Sequence, residues 1–162
     1  MNTRIRPAVS GDAPQMAKLL NTIIAAGGTT AHETPMTDQT MRDHYIAPPS
    51  VISCHIAITN GRLSGFQYLG WSLNDPAGWA TIASFVALDR GKMGIGQLLF
   101  AATRAAALAA GVKTIDATIR ADNTGGLKYY SGLGFMDYDV LPQVPLHDGT
   151  PVDRIRKRLD LP

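Results

Sequence analysis

The run FVALDRGKMGIGQLLFAATRAAALAAG sets three glycines, Gly91, Gly94 and Gly96, between an apolar β-like segment and an alanine-rich stretch of helical composition. Glycine inside regular structure costs roughly 0.5–1 kcal/mol relative to alanine. A cluster of glycines at such a joint therefore implies a tight backbone turn or the close approach of another group. The joint also places a strand and a helix next to one another, the helix running over about 97–110 and stopped by Gly111.

The rest of the chain extends this alternation. TRIRPAV reads as a first strand. A helix follows, capped by Ser10 or Asp12, with Pro14 in its first turn and Gly27-Gly28 at its stop. Met16, Leu19, Leu20, Ile23 and Ile24 recur at helical spacing, so one face of it is buried. A second helix starts near Thr37 and ends before Pro48-Pro49. Asn60-Gly61 marks a hairpin between VISCHIAI and LSGFQYLGW. NDPAG turns the chain into WATIASFVAL, then come the glycine joint, the strand KTIDATIR, the short helix NTGGLKYYSGLG, and two strands around Asp148-Gly149. The order β-α-α-β-β-β-α-β-α-β-β predicts one α+β or mixed α/β domain over 1–162, with a single central sheet.

Composition narrows the classes of function. A net charge of +2 without a long basic run gives no footprint for nucleic acid. The cluster Arg154, Arg156, Lys157 and Arg158 reads as a solvated strand edge or a dimer rim. Cys54 is the single cysteine, which excludes an internal disulfide, and its apolar strand makes it a buried, inert thiol. No apolar run approaches the ~20 residues that cross a bilayer, and the first residues lack the apolar core of a signal peptide. The expected location is the cytoplasm. His32, His44, His55 and His147 lack ligand spacing, so no metal is expected.

Phosphate-binding patterns test what the glycines approach. A Walker A loop needs Lys followed by Ser or Thr after its last glycine, whereas Ile95, Gly96 and Gln97 follow Gly94. The dinucleotide fingerprint needs a glycine where Leu99 stands. What remains is an anion site made by free amides at a helix N-terminus. In this reading Gly94 and Gly96 admit the ligand and Ile95 anchors the loop. Downstream, NTGGLKYYSGLGF carries Asn123, Gly126, Tyr130, Gly134 and Phe135 at fixed offsets. Together the two segments resemble the acetyl-CoA-binding core of GNAT-type N-acetyltransferases, Q/R-x-x-G-x-G/A followed by N-x-x-A-x-x-x-Y-x-x-x-G-F. The order of elements is similar over 3–159.

The resemblance implies a single GNAT-like domain with a mixed, mostly antiparallel sheet flanked by helices. It implies that Ser84, Phe85 and Val86 pair with the pantetheine arm of acetyl-CoA. The amides of Lys92, Met93, Gly94, Ile95, Gly96 and Gln97 would hold the pyrophosphate. Asn123 would bond the pantetheine and Tyr130 would protonate the departing thiolate. Tyr129 does not fit the seven-residue offset from Asn123. NTIIAAGGTTAHETPMT and the chain's last segment resemble the phosphinothricin acetyltransferase branch, which implies a small amino-acid-like amine as acceptor and a homodimer. Gly126 departs from the usual alanine or serine, Gly91 from the usual Gln or Arg, and Thr81 from a glutamate that serves the branch as a candidate base. Glu33 is expected to recognise the ammonium, with His32, Asp75 and His147 as other candidates. An acyl-CoA-binding regulator without turnover and a protein acetyltransferase stay open as alternatives.

Overall fold

The computed structural model describes residues 2–90 and 93–162. Among these, seven strands form one sheet in the order β1-β2-β3-β4-β5-β7-β6. The strands are β1 (Thr3–Pro7), β2 (Val51–Thr59), β3 (Arg62–Trp71), β4 (Trp79–Val86), β5 (Thr114–Arg120), β6 (Met136–Pro145) and β7 (Pro151–Asp160). The helices are α1 (Ala13–Ala26), α2 (Asp38–Met41), α3 (Ile95–Ala110) and α4 (Thr124–Gly132). Every sheet pairing is antiparallel except β4 with β5.

Local chemistry accounts for the boundaries. Asp12 accepts from the Val9 amide at 2.8 Å and pairs with Arg6 at 2.9 Å, which folds the chain from β1 into α1. Thr37 caps α2 by accepting from the Thr40 amide at 3.0 Å. A wider π turn, Arg42–Ile46, continues that helix to the pair of prolines. The hairpin at Asn60 and Gly61 has positive φ at both residues, 50° and 78°, the signature of a tight two-residue turn. Helix α3 begins two residues earlier than its composition suggests, because Gly94 takes φ 74° and serves as its N-cap.

The sheet separates two cores. Met16, Leu20, Met41, Tyr45, Phe66 and Phe85 fill the α1–α2 face, and Leu69, Ile82, Phe100, Ile115, Tyr130 and Phe135 fill the α3–α4 side. Gly65 sets the depth at which α3 lies on the sheet. A Cβ there would stand 2.9 Å from the Phe85 carbonyl oxygen and 3.3 Å from Ile95. Cys54 is buried as expected, and burial pushes its thiol up to about 12. No helix among the described residues is long and apolar enough to cross a membrane.

The basic cluster on β7 is not a solvated edge. Strand β7 lies between β5 and β6, so both sides of its backbone are paired. Lys157 is buried against Asp137 and donates to Ser131 at 2.9 Å. Arg156 pairs with Asp75 at 2.8 Å and Asp116 at 3.1 Å, and Arg158 lies 4.8 Å over the Trp79 ring. Arg154 alone of the four forms no ion pair or side-chain hydrogen bond among the described residues.

Candidate active site

The site begins where two parallel strands part. β4 pairs with β5 only through Trp79, Ala80 and Thr81, while its pairing with β3 continues to Val86. The amide of Ala87 donates to the Ser64 carbonyl at 2.9 Å, which fixes the phase of the β3–β4 ladder. Antiparallel alternation then turns the backbones of Phe85 and Ala83 toward β3, and those of Ser84 and Val86 toward the opening. Of the three residues expected to present their backbone to an extended ligand, Ser84 and Val86 face the opening, and Phe85 is turned to β3 by the alternation.

A channel of about 540 Å³ runs along this exposed backbone, lined by Ser84, Phe85 and Val86, by Gly94, Gly96 and Gln97, and by Asn123 and Tyr129. It reaches the N-terminus of α3, where no side chain among the described residues caps the first amides. Those amides and the positive end of a 16-residue helix suit an anion. Ile95 is buried and anchors the turn in the core, as its sequence position suggests. Lys92, expected among the phosphate-binding amides, lies outside the described residues, and Met93 is exposed beside the turn.

The structure gives the glycines internal reasons. Gly94 is needed for its left-handed φ. At Gly96 the approaching group is the Tyr129 ring, since a Cβ would stand 2.6 Å from its Cε1. The Tyr129 hydroxyl donates to the Gly96 carbonyl at 2.6 Å and accepts from Gln67 Nε2 at 3.0 Å. Tyr129 therefore locks α4 onto the glycine turn. Gln67 is fully buried on β3, and its second Nε2 proton goes to Ser84 Oγ at 2.8 Å. The sequence reading did not single it out; a glutamine inside the apolar run GFQYLGW was the available signal.

Tyr130 occupies a different position. Its hydroxyl lies 2.7 Å from Ser84 Oγ and its ring is buried against Phe135. Burial raises its pKa above the ordinary phenol value, with the Ser84 hydrogen bond opposing, so the phenol stays protonated at neutral pH. Tyr130 lines a second cavity of about 240 Å³ that shares Ser84, Phe85, Asn123 and Tyr129 with the channel. The far side of this cavity comes from His32 of the α1–α2 loop, Tyr45 after α2, Arg120 of β5 and Arg154 of β7. His32 Nε2 is hydrogen-bonded to the Tyr45 hydroxyl. Burial first, and His44 second, hold the His32 pKa below its ordinary value.

The remaining candidates separate. Asn123 caps α4 by accepting from the Gly126 amide at 2.9 Å and donates to the Thr29 carbonyl at 2.9 Å. A Cβ on Gly126 would stand 2.5 Å from Asn123 Nδ2, which explains glycine at that position. Glu33 does not line the cavity; its carboxylate accepts from the His147 amide at 3.0 Å, tying the α1–α2 loop to the β6–β7 turn. Asp75 is held by Ser72 and Arg156. Thr81 lies opposite Asp116 in the β4–β5 register, and the Asp116 carboxylate is occupied by Tyr138, Arg156 and Thr118.

Comparison with known proteins agrees with this fold. The Acetyltransferase (GNAT) family model matches residues 17–135. No curated relative matches the chain. An N-acetyltransferase from Staphylococcus aureus Mu50 superposes with a TM-score of 0.86 at 22% identity, covering 100% of each chain. A phosphinothricin acetyltransferase from Sinorhizobium meliloti, solved in complex with AcCoA, gives 0.86 at 18% identity over 99% of this chain and 89% of its own. A ribosomal-protein-alanine N-acetyltransferase from Brucella melitensis gives 0.83 at 21% identity over 98% and 99%. These structures establish the expected fold.

Proposed function

Because this chain belongs to the GNAT family of acetyltransferases, we propose that it transfers the acetyl group of acetyl-CoA to the primary amine of a small amino-acid-like molecule. The observation that carries this reading is the parting of β4 from β5 after Thr81, which exposes the Ser84 and Val86 backbone along a channel ending at the uncapped α3 amides. An extended pantetheine arm suits that backbone, and a pyrophosphate suits those amides.

Bound acetyl-CoA supplies the acyl group as a thioester. The ammonium of the acceptor first loses a proton to water, and its nitrogen then bonds to the carbonyl carbon. The Val86 amide faces the opening and is the donor for charge gathering on the carbonyl oxygen. As the carbon–sulfur bond breaks, Tyr130 gives its phenolic proton to the thiolate. It recovers a proton from the nitrogen through water, so the products are the N-acetyl amine, the free thiol and one released proton. Ser84 orders this step by donor count. Its oxygen accepts from Gln67 and its hydroxyl keeps one proton; when Ser84 donates that proton to the Tyr130 oxygen, the Tyr130 proton is left for the thiolate.

We also propose a homodimer through β6. That edge strand leaves one side of its backbone unpaired and exposes Met136, Val140 and Leu141. The catalytic reading is tested by acetyl-CoA-induced thermal stabilisation, followed by thiol release against amino acids, cationic amines and peptides. Stabilisation and turnover on amino-acid-like amines are expected. Binding without turnover would favour the regulator, and turnover on peptides alone would favour a protein acetyltransferase.

A further inference from the structure

The small cavity beside Tyr130 has an unbalanced charge. Its charged lining side chains are Arg120 and Arg154, and no carboxylate lines it. The two arginines lie opposite one another in the β5–β7 register, an arrangement that is destabilising when nothing neutralises it. Arg120 is neutralised, because Asp122 holds its guanidinium in a fork at 2.7 and 3.0 Å, and it also donates to the Thr30 carbonyl at 3.1 Å. Arg154 is half-buried and has no ion pair or side-chain hydrogen bond among the described residues.

The neighbouring acids are already engaged. Asp153 accepts from the Gln143 amide at 2.8 Å, and Glu33 accepts from the His147 amide at 3.0 Å. Leu141 is the residue opposite Arg154 on β6 and offers no charge. Two residues along the same face, Arg156 reaches Asp75, Asp116 and Asp139. The surrounding elements thus supply full partners for Arg156 and leave Arg154 facing the cavity. A guanidinium stays charged at any working pH and presents a fork that matches a carboxylate.

We propose that Arg154 is the residue that selects the acceptor, by pairing with a carboxylate carried by the same molecule as the reacting amine. This rests on the acetyltransferase reading, and it orders the acceptors. Amino acids are favoured, while polyamines and lysine side chains, which bring further positive charge to Arg154, are disfavoured.

The test uses the CoA-saturated protein and calorimetry with N-acetyl-L-methionine and N-acetyl-L-glutamine, each beside its methyl ester. The wild type should bind the acids roughly 10- to 100-fold more tightly than the esters, the range expected for a charge-assisted hydrogen-bonded pair. Arg154→Gln should erase that gap by weakening the acid alone, and Arg154→Lys should restore part of it. Equal binding of acid and ester, no binding of either, or a gap that survives Arg154→Gln would overturn the proposal. The two readings fail separately. A wild-type protein that acetyl-CoA does not stabilise defeats the acetyltransferase reading. One that is stabilised but shows no preference for acids defeats only the role of Arg154.

Discussion

On the α3–α4 side of the β4–β5 opening, four bonds run in one short circuit. Tyr129 holds Gly96, Gln67 holds both Tyr129 and Ser84, and Ser84 meets Tyr130. On the other side the bonds join distant segments. Arg120 reaches Thr30 across 90 residues, and Glu33 reaches His147 across 114. The first side gathers its groups from one strand pair and two nearby helices, at separations of 17 to 62 residues. The second assembles a wall from the α1–α2 loop, β5, β7 and the last turn. The compact circuit fixes the groups beside the opening, and wider contacts hold the segments opposite them.

The sharpest way to break this comparison is at the neighbouring tyrosines. Tyr130→Phe should lower kcat by about 10² to 10⁴, the usual cost of losing a general acid. Acetyl-CoA should still raise the melting temperature of that variant. Tyr129→Phe should cost less in kcat and more in acetyl-CoA affinity, because it frees the Gly96 carbonyl. A larger kcat loss in Tyr129→Phe would exchange the two roles.

Gly96→Val comes next. Its Cβ would enter the Tyr129 ring, and overpacking of this kind costs about 1–3 kcal/mol of stability. The added strain should be accompanied by loss of the acetyl-CoA-induced shift in melting temperature. Gly94→Val meets no atom within 4 Å but must hold φ 74°, so its cost is backbone strain of about 1–2 kcal/mol. A full shift retained in both variants would place the phosphate site elsewhere.

The difference between the two sides also explains how far the sequence could be read. The hairpin at Asn60-Gly61, the Thr37 cap of α2, the Gly27 stop of α1 and the order of elements follow from local chemistry, and each is present in the structure, whereas Asp12 starts α1 without a side-chain capping bond. Tyr130 and Asn123 both line the small cavity, at an offset that one short helix fixes. Gln67 was not legible in the sequence, because its two partners lie 17 and 62 residues away. The arginines of β7 were misread as an edge, since no local pattern tells that β7 is inserted between β5 and β6. Arg154 and Arg156 look alike in the sequence. Only the long-range register shows that one is partnered and the other faces a cavity.

A smaller effect is expected from pH. Burial, and then His44, depress the His32 pKa in the folded chain below 6.5. The unfolded chain therefore takes up a proton near pH 6.5 that the folded chain refuses. Stability supplied by neutral His32 is present above that pH and is lost as pH falls toward the folded value. The melting temperature should decline between pH 7 and 5, and His32→Gln should flatten that decline. His55, also depressed by burial, is the control that retains its own share of the slope. An unchanged slope in His32→Gln would remove the charge argument for that wall of the cavity.

Glu33 carries the smallest expected effect and separates two roles. Its carboxylate accepts from the His147 amide, with oxygens at 3.0 and 3.2 Å, and it is absent from the cavity lining. A glutamine keeps an acceptor oxygen for that amide but loses the charge; an alanine loses both. If Glu33 is a strut between the α1–α2 loop and the β6–β7 turn, Glu33→Gln should shift the acceptor KM by less than about threefold. Glu33→Ala should then raise KM more and lower the melting temperature, reflecting about 1–3 kcal/mol for a lost hydrogen bond to a charged group. If Glu33 instead recognises the ammonium, glutamine and alanine should raise KM alike, with acetyl-CoA affinity unchanged in both. The bond to His147 leads us to expect the first pattern. Steady-state kinetics on the two variants, beside their melting temperatures, decide whether this wall of the acceptor site uses a negative charge at all or only the positive one on Arg154.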